Sequence, residues 1–499
     1  MKLKDLKNRF FNIWKTTDDT GQQVARGSIL VLLSRVLIKS LQLIKTIILA
    51  RLLFPEDFGL FGLASLTMTF VGTIFQHGFN TALVHHKESN SKYLNGAWTV
   101  NILRNTLVAL VLFFIAPNLA AGFFNNINVI PFIKVLAIIV FFEGFQNIGV
   151  ILLNKELRFN KKFFYDISAV FIEISAVIIA AFYLRSPWAL LIGVAFGKFA
   201  DIILSYVFHS YRPRFKFNLE VTKQLFKFGK WIGLAGIITF ITRQGDAIMI
   251  GKLLTTYDLG LYSLALSLGT LPSTEISKVM GNVLFPFFSK IQNDLELLKS
   301  SFIRLFRVLY AFIIPALIGI FTLNNEIVYI VYGSKWTAMI PILNIVLIIA
   351  ILRSFELIVN PLFLGIGKPK INTYILTIQS IIMFSLIVPL AKMFGVVGIA
   401  LSVASSLLIS QSILFFKIKH TIKLGFKGFF NIISLPIIAS LIMFNIMHTL
   451  KSIFLITNPF ILVLYIIFGI IIYFISIYLL DKVFGRKYYE SWLWLKKNI

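Results

Sequence analysis

Fourteen ionisable side chains lie within stretches of this sequence that are otherwise apolar. In the middle of a membrane helix such a group costs roughly 2.5–3.5 kcal/mol on insertion scales, so each one needs a partner or a function. Eight are cations and six are anions: Arg35, Lys39, Lys45, Arg104, Glu143, Glu173, Lys198, Asp201, Arg243, Asp246, Glu275, Lys278, Arg353 and Glu356. Arginine matches phosphate oxygens through paired hydrogen bonds, so these cations are suited to bind a phosphate group.

The polar side chains of the first apolar stretch recur at helical spacing. They lie at i, i+4, i+7 and i+11, which forms one stripe along a helix: Arg35, Lys39, Gln42 and Thr46. Polar faces also occur in the second, third, seventh and eighth stretches: Thr69, Thr73, Gln76 and Asn80; Asn101, Arg104 and Asn105; Thr239, Thr242, Arg243 and Asp246; Thr270, Thr274, Ser277 and Lys278. Polar faces on several helices predict a water-filled cavity that they line together.

Three cation–acid pairs are spaced i, i+3: Arg243 with Asp246, Arg353 with Glu356, and Lys198 with Asp201. Two interpretations stay open for each pair, either neutralisation within one helix or contact with a ligand or ion. Arg35, Lys39 and Arg104 have no acid one turn away, which favours an anionic ligand. The predicted substrate-binding residues are Arg35, Lys39, Gln42, Arg104 and Arg243, and the ion-coupling candidates are Asp246 and Glu356.

The elements that must position these groups are membrane helices. The chain is 58% hydrophobic and 14% charged, which is more apolar surface than a soluble protein of 499 residues can bury. A helix of about 20 residues crosses the hydrocarbon core, and the hydropathy pattern predicts fourteen. Their approximate limits are 27–50, 59–84, 97–116, 129–152, 165–184, 188–208, 229–251, 259–285, 302–323, 338–364, 371–391, 396–416, 429–450 and 454–479.

Charge and cysteine content exclude several function classes. The net charge is +27, but the basic residues concentrate in alternate short loops, where they set topology, so no nucleic-acid partner is needed. Their distribution predicts that both termini are cytoplasmic. The sequence has no cysteine, which excludes disulfides, thiolate chemistry and Cys-ligated metals. We predict no catalytic residue and no metal site.

A block of sequence occurs twice. Residues 51–64 return as 252–265, at an offset of 201 residues and without a gap, sharing Leu-Leu, Asp, Gly-Leu, Leu and Ala. This repeat indicates an internal duplication. One period holds six spans, an even number, so both copies enter the membrane in the same direction and form parallel lobes. Asp57 and Asp258, at equivalent positions, are predicted helix N-caps.

The predicted fold is therefore all-α, with two parallel six-helix lobes and two additional C-terminal helices. The predicted division is 1–26, a cytoplasmic amphipathic segment; 27–215, the N-lobe; 216–424, the C-lobe; and 425–499, helices 13 and 14 with a basic cytoplasmic tail.

With the repeated Leu-Leu-x-Pro-x-Asp-Phe-Gly block after a first helix holding Arg35 and Lys39, the chain resembles the polysaccharide-repeat-unit flippases (Wzx type). These belong to the multidrug/oligosaccharidyl-lipid/polysaccharide exporter superfamily. The resemblance implies a fold like that of the multidrug exporters (MATE-like) and translocation of undecaprenyl-diphosphate-linked oligosaccharides across the bacterial inner membrane, for surface polysaccharides such as O-antigen. It implies alternating access, coupling to H⁺ or Na⁺ without another cofactor, and a diphosphate as the anion that the cations meet. The expected partners are membrane lipids and the pathway's polymerase or glycosyltransferases, and the expected state is a monomer.

Two alternatives remain. A drug/cation antiporter of the same superfamily should have a site dominated by acids, whereas this sequence has a cationic excess in the first lobe. A membrane glycosyltransferase or polymerase should have a sizeable extramembrane loop and in many cases an acidic metal-binding motif. No Asp-x-Asp occurs, and the predicted loops are short, which favours a transporter over an enzyme.

Overall fold

The computed structural model describes residues 20–75, 91–156, 158–216, 219–485 and 487–498. Within these ranges the chain is almost entirely helical and contains no strand. The predicted amphipathic N-terminal segment lies outside the described residues, apart from positions 20–26, which open the first helix. Gln76 and Asn80 of the second polar stripe also lie outside them.

The first six helices correspond to the predicted N-lobe spans. They are α1 (Thr20–Leu52), α2 (Pro55–Ile74), α3 (Ser91–Leu110, continued by the π-helical Val111–Ile115 and by Ala116–Phe124), α4 (Val129–Glu143 and, after a break, Gly149–Lys155), α5 (Phe159–Leu184) and α6 (Trp188–Phe208).

The later helices correspond to the predicted C-lobe and C-terminal spans. They are α7 (Leu219–Leu253), α8 (Thr256–Gly269 and Leu271–Lys290), α9 (Leu295–Thr322), α10 (Ile340–Gly365), α11 and α12 (the two parts of Pro369–Ile422), α13 (Phe426–Ile453), α14 (Pro459–Val483) and the tail helix α15 (Lys487–Asn498). Between α9 and α10 lie the short segments Asn324–Glu326, Ile327–Tyr332 and Ser334–Met339.

A helix is therefore present for each of the fourteen predicted spans, and the all-α membrane fold is confirmed. Among the described residues, nine helices are long and apolar enough to cross a membrane, with Pro369–Ile422 counted as one. The total of fourteen crossings stays a prediction. Large apolar side chains are exposed along these helices, for example Phe468 and Ile475 on α14, and such a surface requires lipid around it.

A single glycine separates α11 from α12. Gly395 has φ +56° and ψ −136°, a conformation that residues with a β-carbon avoid, and helical geometry resumes directly after it. The two predicted spans 371–391 and 396–416 thus run through one 54-residue helical segment that is broken only at this residue.

The repeated block forms the same structure in both copies, but the predicted N-caps are wrong by three residues. Asp57 lies in the first turn of α2, and its Oδ2 accepts the backbone N–H of Phe54 at 2.8 Å. Asp258 does the same for Thr255 at 3.2 Å, while the Thr255 hydroxyl accepts the N–H of Asp258. Each aspartate is therefore an acid at the third helical position that accepts the N-cap backbone N–H, because its helix begins earlier than the sequence suggested. The Thr255 hydroxyl completes a capping box in the second copy, whereas Phe54 has no side-chain acceptor to do so in the first.

Contacts divide the chain into two compact units, unit 1 (Met1–Phe240) and unit 2 (Ile241–Ile499). This division falls inside α7, whereas the sequence-based boundary lies at 215/216. The four domain limits given above stay predictions.

In unit 1, α1 packs along the pair α5–α6. Leu49 of α1 and Leu53, directly after this helix, form a buried cluster with Val177 of α5 and Ala189 of α6. Helices α5 and α6 approach closely because residue 193 is glycine, where an added β-carbon would lie 2.5 Å from Cβ of Val177. This packing brings the polar stripe of α1 to the polar side chains of α5.

In unit 2, α10 is the most buried of the nine apolar helices. Phe355 of α10 packs against Phe306 of α9 with ring centroids 5.5 Å apart. The tail helix α15 contacts both α14 and α9. Asp481 of α14 accepts the N–H groups of Tyr488 and Tyr489 at 3.0 Å each, and the Trp494 ring centroid lies 5.3 Å from the guanidinium of Arg304 on α9. Helices α13, α14 and α15 are thus an integral part of unit 2.

Candidate functional site

The polar stripe of α1 borders a cavity of about 350 Å³ in unit 1. Ser34 and Arg35 line it from α1, and Lys162 and Asp166 line it from α5. Lys162 donates to the Asp166 carboxylate within this wall. Arg35 is half-buried, so its guanidinium lies where water and an anion can reach it. Lys39 and Gln42 are half-buried on the same helix.

A second cavity of about 330 Å³ continues the first, because Ile38 and Asp166 line both. The other polar residues of its wall are Glu173 on α5 and Lys198 and Asp201 on α6. This wall carries more acids than bases. The cationic excess expected from the sequence therefore describes the Arg35 end of the space but not the Asp201 end.

The lysines of this region pair with acids from other helices. Lys45 Nζ lies 2.7 Å from Glu173 Oε1, which joins α1 to α5. Lys198 Nζ lies 2.7 Å from Glu143 Oε1, which joins α6 to α4. The side chains of both pairs are 23–39% exposed, and Glu173 and Lys198 line the second cavity. The i, i+3 spacing of Lys198 and Asp201 did not identify Glu143 as the hydrogen-bond partner.

The polar face of α3 holds helix ends in place. Arg104 Nε donates to the carbonyl of Phe75 at 2.9 Å, at the end of α2. Asn101 donates to the carbonyl of Gly144 at 3.1 Å, at the break in α4, and Asn105 donates to Asn101. One of the five N–H donors of Arg104 thus has a structural role, and the side chain stays half-buried.

The segment 209–216 fastens the cytoplasmic end predicted for unit 1. Asn95 Oδ1 accepts the Tyr211 hydroxyl at 2.5 Å and the backbone N–H of Arg214 at 2.8 Å. Burial lowers the pKa of the His209 imidazole, while the nearby Glu156 carboxylate acts in the opposite sense. Burial, with a smaller effect of Tyr206, raises the pKa of Tyr211 to about 12. Both rings are therefore neutral at physiological pH.

In unit 2 a carboxylate connects three helices. Glu356 of α10 is only 5% exposed, and its Oε2 accepts Nη2 of Arg243 from α7 at 2.6 Å. Its Oε1 accepts Nε2 of Gln411 from α12 at 2.7 Å. Arg243 and Glu356 were each predicted as functional, but the sequence spacing paired them with Asp246 and Arg353 instead. No charge or spacing pattern in the sequence singled out Gln411.

Asp246 has a separate, fully buried partner. Its Oδ2 accepts the Tyr262 hydroxyl at 2.6 Å, and its Oδ1 accepts the N–H of Ala247 at 2.8 Å. Asp246 is 1% exposed and Tyr262 is 0% exposed. Tyr262 belongs to the repeated block. The repeat, and not helical spacing, is therefore the sequence feature that draws attention to Tyr262.

Two further features bear on the site. An apolar cavity of about 460 Å³ lies between α9, α13 and α14, and no charged side chain lines it, so it is unsuited to a charged headgroup. Within the described part of the chain, no group of three His, Asp or Glu side chains is arranged to hold a metal ion.

The sequence pattern of polysaccharide biosynthesis proteins matches residues 48–341, which is more than half of the chain. The chain belongs to this family. Among curated polysaccharide biosynthesis relatives, the Lipopolysaccharide biosynthesis protein WzxC of Escherichia coli K12 is 25% identical over 82% of this chain and 84% of its own length. The Succinoglycan biosynthesis transport protein ExoT of Rhizobium meliloti is 24% identical over 60% of each chain.

Solved transporters share the fold of this family member. The lipid II flippase MurJ, in an inward closed conformation, superposes with a TM-score of 0.71 over 92% of this chain and 99% of its own, at 20% identity. An inward-facing MATE family transporter of the MOP superfamily gives 0.58 over 77% of this chain and 94% of its own, at 13% identity. At these identities the likeness establishes the fold, and the expected MATE-like architecture is confirmed.

Proposed function

We propose that this polysaccharide biosynthesis protein is a flippase that moves polyprenyl-diphosphate-linked oligosaccharide repeat units across the bacterial inner membrane for surface polysaccharide synthesis. Three findings support a transporter rather than an enzyme. They are the family of the chain, its fold, and the presence of a transport protein among its relatives and of a flippase among its structural neighbours. The chain would work by alternating access, with both termini in the cytoplasm and the sugars and diphosphate in the polar cavity. The polyprenyl tail would stay in lipid.

The observation that carries the substrate class is the placement of Arg35. Its guanidinium lines a cavity inside an apolar helical unit, together with Lys162. A cation in this position stabilises an anionic headgroup that has left bulk water, and arginine binds phosphate oxygens through two hydrogen bonds. The other proposed substrate-binding residues are Lys39, Gln42 and Arg104 in unit 1 and Arg243 in unit 2, and Asp246 and Glu356 are the candidates for ion coupling.

The test is export in a bacterial host whose surface polysaccharide depends on this protein. Arg35→Ala should lower surface polysaccharide at least about tenfold at equal membrane abundance, while Arg35→Lys should retain part of it because the charge persists without the paired hydrogen bonds. Arg158→Ala is the matched control, because Arg158 is 52% exposed and paired with Glu156 outside the cavities. Wild-type export by Arg35→Ala would refute the proposed headgroup site.

The acids of the second cavity favour one alternative, exchange of an organic cation. Asp166, Glu173 and Asp201 would supply the negative charge that such a ligand needs. Proteoliposomes loaded with a quaternary ammonium dye distinguish the two functions. Dye exchange that Asp201→Asn abolishes, without flipping of a lipid-linked oligosaccharide, would establish the cation antiporter instead.

A further inference from the structure

The Glu356 carboxylate has two partners that differ in exposure. Arg243 is 38% exposed, whereas Glu356 is 5% exposed and Gln411 is 7% exposed. A buried carboxylate keeps its negative charge only while it is paired, because the membrane interior solvates ions poorly. Of the two partners, Arg243 carries the compensating positive charge, and it is also the more exposed one.

Gln411 suits both protonation states of that carboxylate. Its Nε2 donates to Glu356, while its Oε1 is buried and has no hydrogen-bond partner among the described residues. A side-chain amide has a donor end and an acceptor end. As observed it donates to the ionised acid, and after a rotation of 180° its free Oε1 accepts the O–H of the protonated acid. An arginine or lysine at this position supports only the ionised form.

We propose that Glu356 binds one proton when the diphosphate of the substrate binds to Arg243, and that Gln411 is the positioning residue for both states. This inference rests on the proposed function, and it defines how the same site is regulated. The anion takes the place of the carboxylate at the guanidinium, and a proton from solvent joins the carboxylate, so no unpaired buried charge is left. Linkage is reciprocal, so a lower pH tightens diphosphate binding by the same factor.

Other titratable groups surround this position. Arg353 lies one turn away on α10, Asp246 is on α7, Tyr262 is on α8, and Tyr310 is on α9. The side chains of Glu275 and Lys278 on α8 lie outside the described set. Asp246 is the main competitor for the proton, and Tyr262 already donates to it. Asp246 is therefore the competing assignment that the variants must distinguish.

The experiment measures binding of citronellyl-diphospho-N-acetylglucosamine to the purified full-length protein in nanodiscs. Both phosphates of this diester stay ionised between about pH 5.5 and about pH 8.5, so the charge of the probe is constant. For the wild type, the affinity for the probe should rise by up to about tenfold for each unit by which the pH falls. This holds in the pH range where Glu356 is ionised in the free protein and protonated in the probe-bound protein. About one proton should be taken up per probe bound in weakly buffered solution.

The variants assign the proton. Glu356→Gln should bind the probe with an affinity that does not change with pH and without proton uptake. Asp246→Asn should keep both effects if Glu356 is the group that binds the proton. Gln411→Leu should shift the pH profile, because the amide then supports neither state of Glu356. If Asp246→Asn loses the proton uptake and Glu356→Gln keeps it, the assignment is wrong. Wild-type binding that is independent of pH overturns this inference alone, whereas no binding at any pH overturns the diphosphate substrate as well.

Discussion

The two units contain copies of one sequence block, yet they place their charges in different surroundings. In unit 1 the Lys45–Glu173 and Lys198–Glu143 pairs are 23–39% exposed, and one residue of each pair, Glu173 and Lys198, lines a cavity. In unit 2 Glu356 is 5% exposed, and Asp246 is 1% exposed. Exposed pairs separate at little cost, whereas a buried charged group must keep a partner or lose its charge. One scaffold thus holds acids at a cavity in one copy and buries them in the other.

The difference extends to the sign of the charge at equivalent positions. The repeat offset of 201 residues places Gln42 opposite Arg243 and Lys45 opposite Asp246. Lys45 pairs with the Glu173 carboxylate, and Asp246 accepts the Tyr262 hydroxyl. At the second of these positions each copy thus has a local partner that matches its own chemistry.

The largest expected effect comes from the helix packing that supports the cavities of unit 1. In Gly193→Ala the new β-carbon would lie 2.5 Å from Cβ of Val177, so α5 and α6 must separate. We expect a loss of about 3 kcal/mol or more in stability and little folded protein. In unit 2, Gly319→Ala meets its nearest atom at 3.9 Å and should be neutral. Fluorescence-detected size-exclusion chromatography compares the two, and equal profiles would show that the close approach is not required.

The next effect tests whether unit 1 needs the lysine at position 45 itself or only opposite charges at positions 45 and 173. Lys45→Glu puts two carboxylates where a 2.7 Å ion pair stood, and export should fall at least about tenfold. Adding Glu173→Lys restores opposite charges and should recover export to within a few-fold of the wild type. If the double variant is as inactive as the single one, Lys45 itself contacts the substrate, and unit 1 depends on the sign at this position.

A smaller effect compares the loss of a buried hydrogen bond with the loss of a partly exposed ion pair. Tyr262→Phe removes the hydroxyl that Asp246 accepts, and a buried unsatisfied carboxylate should cost about 1–3 kcal/mol. Lys45→Gln in unit 1 removes a partly exposed ion pair and should cost less than about 1 kcal/mol. Thermal unfolding of both variants in the same detergent measures the difference. A larger loss for Lys45→Gln would contradict the distinction between exposed and buried charges.

The smallest effect concerns acid sensitivity. Burial holds the pKa of His209 below its ordinary value near 6.5, so the folded state binds fewer protons than the unfolded state just below that pH. The contribution of His209 to stability is complete above about pH 6.5 and is lost as the pH falls through the lowered pKa. His209→Gln should flatten this decline by less than about 1 kcal/mol, whereas the exposed His448→Gln in unit 2 should leave it unchanged. If the wild type and His209→Gln lose stability identically as the pH falls, His209 does not contribute to this loss.

Much of the fold could be predicted from the sequence because hydropathy and repeats are local signals. The fourteen helices, the repeated block and the family follow from residues that are near one another in the chain. The partners in the site do not, since Arg243 and Glu356 are 113 residues apart and Lys198 and Glu143 are 55 residues apart. Helical spacing compares a side chain only with its own helix. Gln411 is an uncharged residue in an apolar span, so it is recognised as a partner of Glu356 only when the structure places α12 beside α10.

The glycine between α11 and α12 has a consequence for motion. Gly395 connects the two helices without a loop, and an added β-carbon at the following Gly398 would lie 1.9 Å from the carbonyl oxygen of Leu390, so the connection has no slack. Axial sliding of either helix would therefore pull the other. Because Gln411 lies on α12 and Glu356 lies on α10, such a movement would change the distance between the amide and the carboxylate.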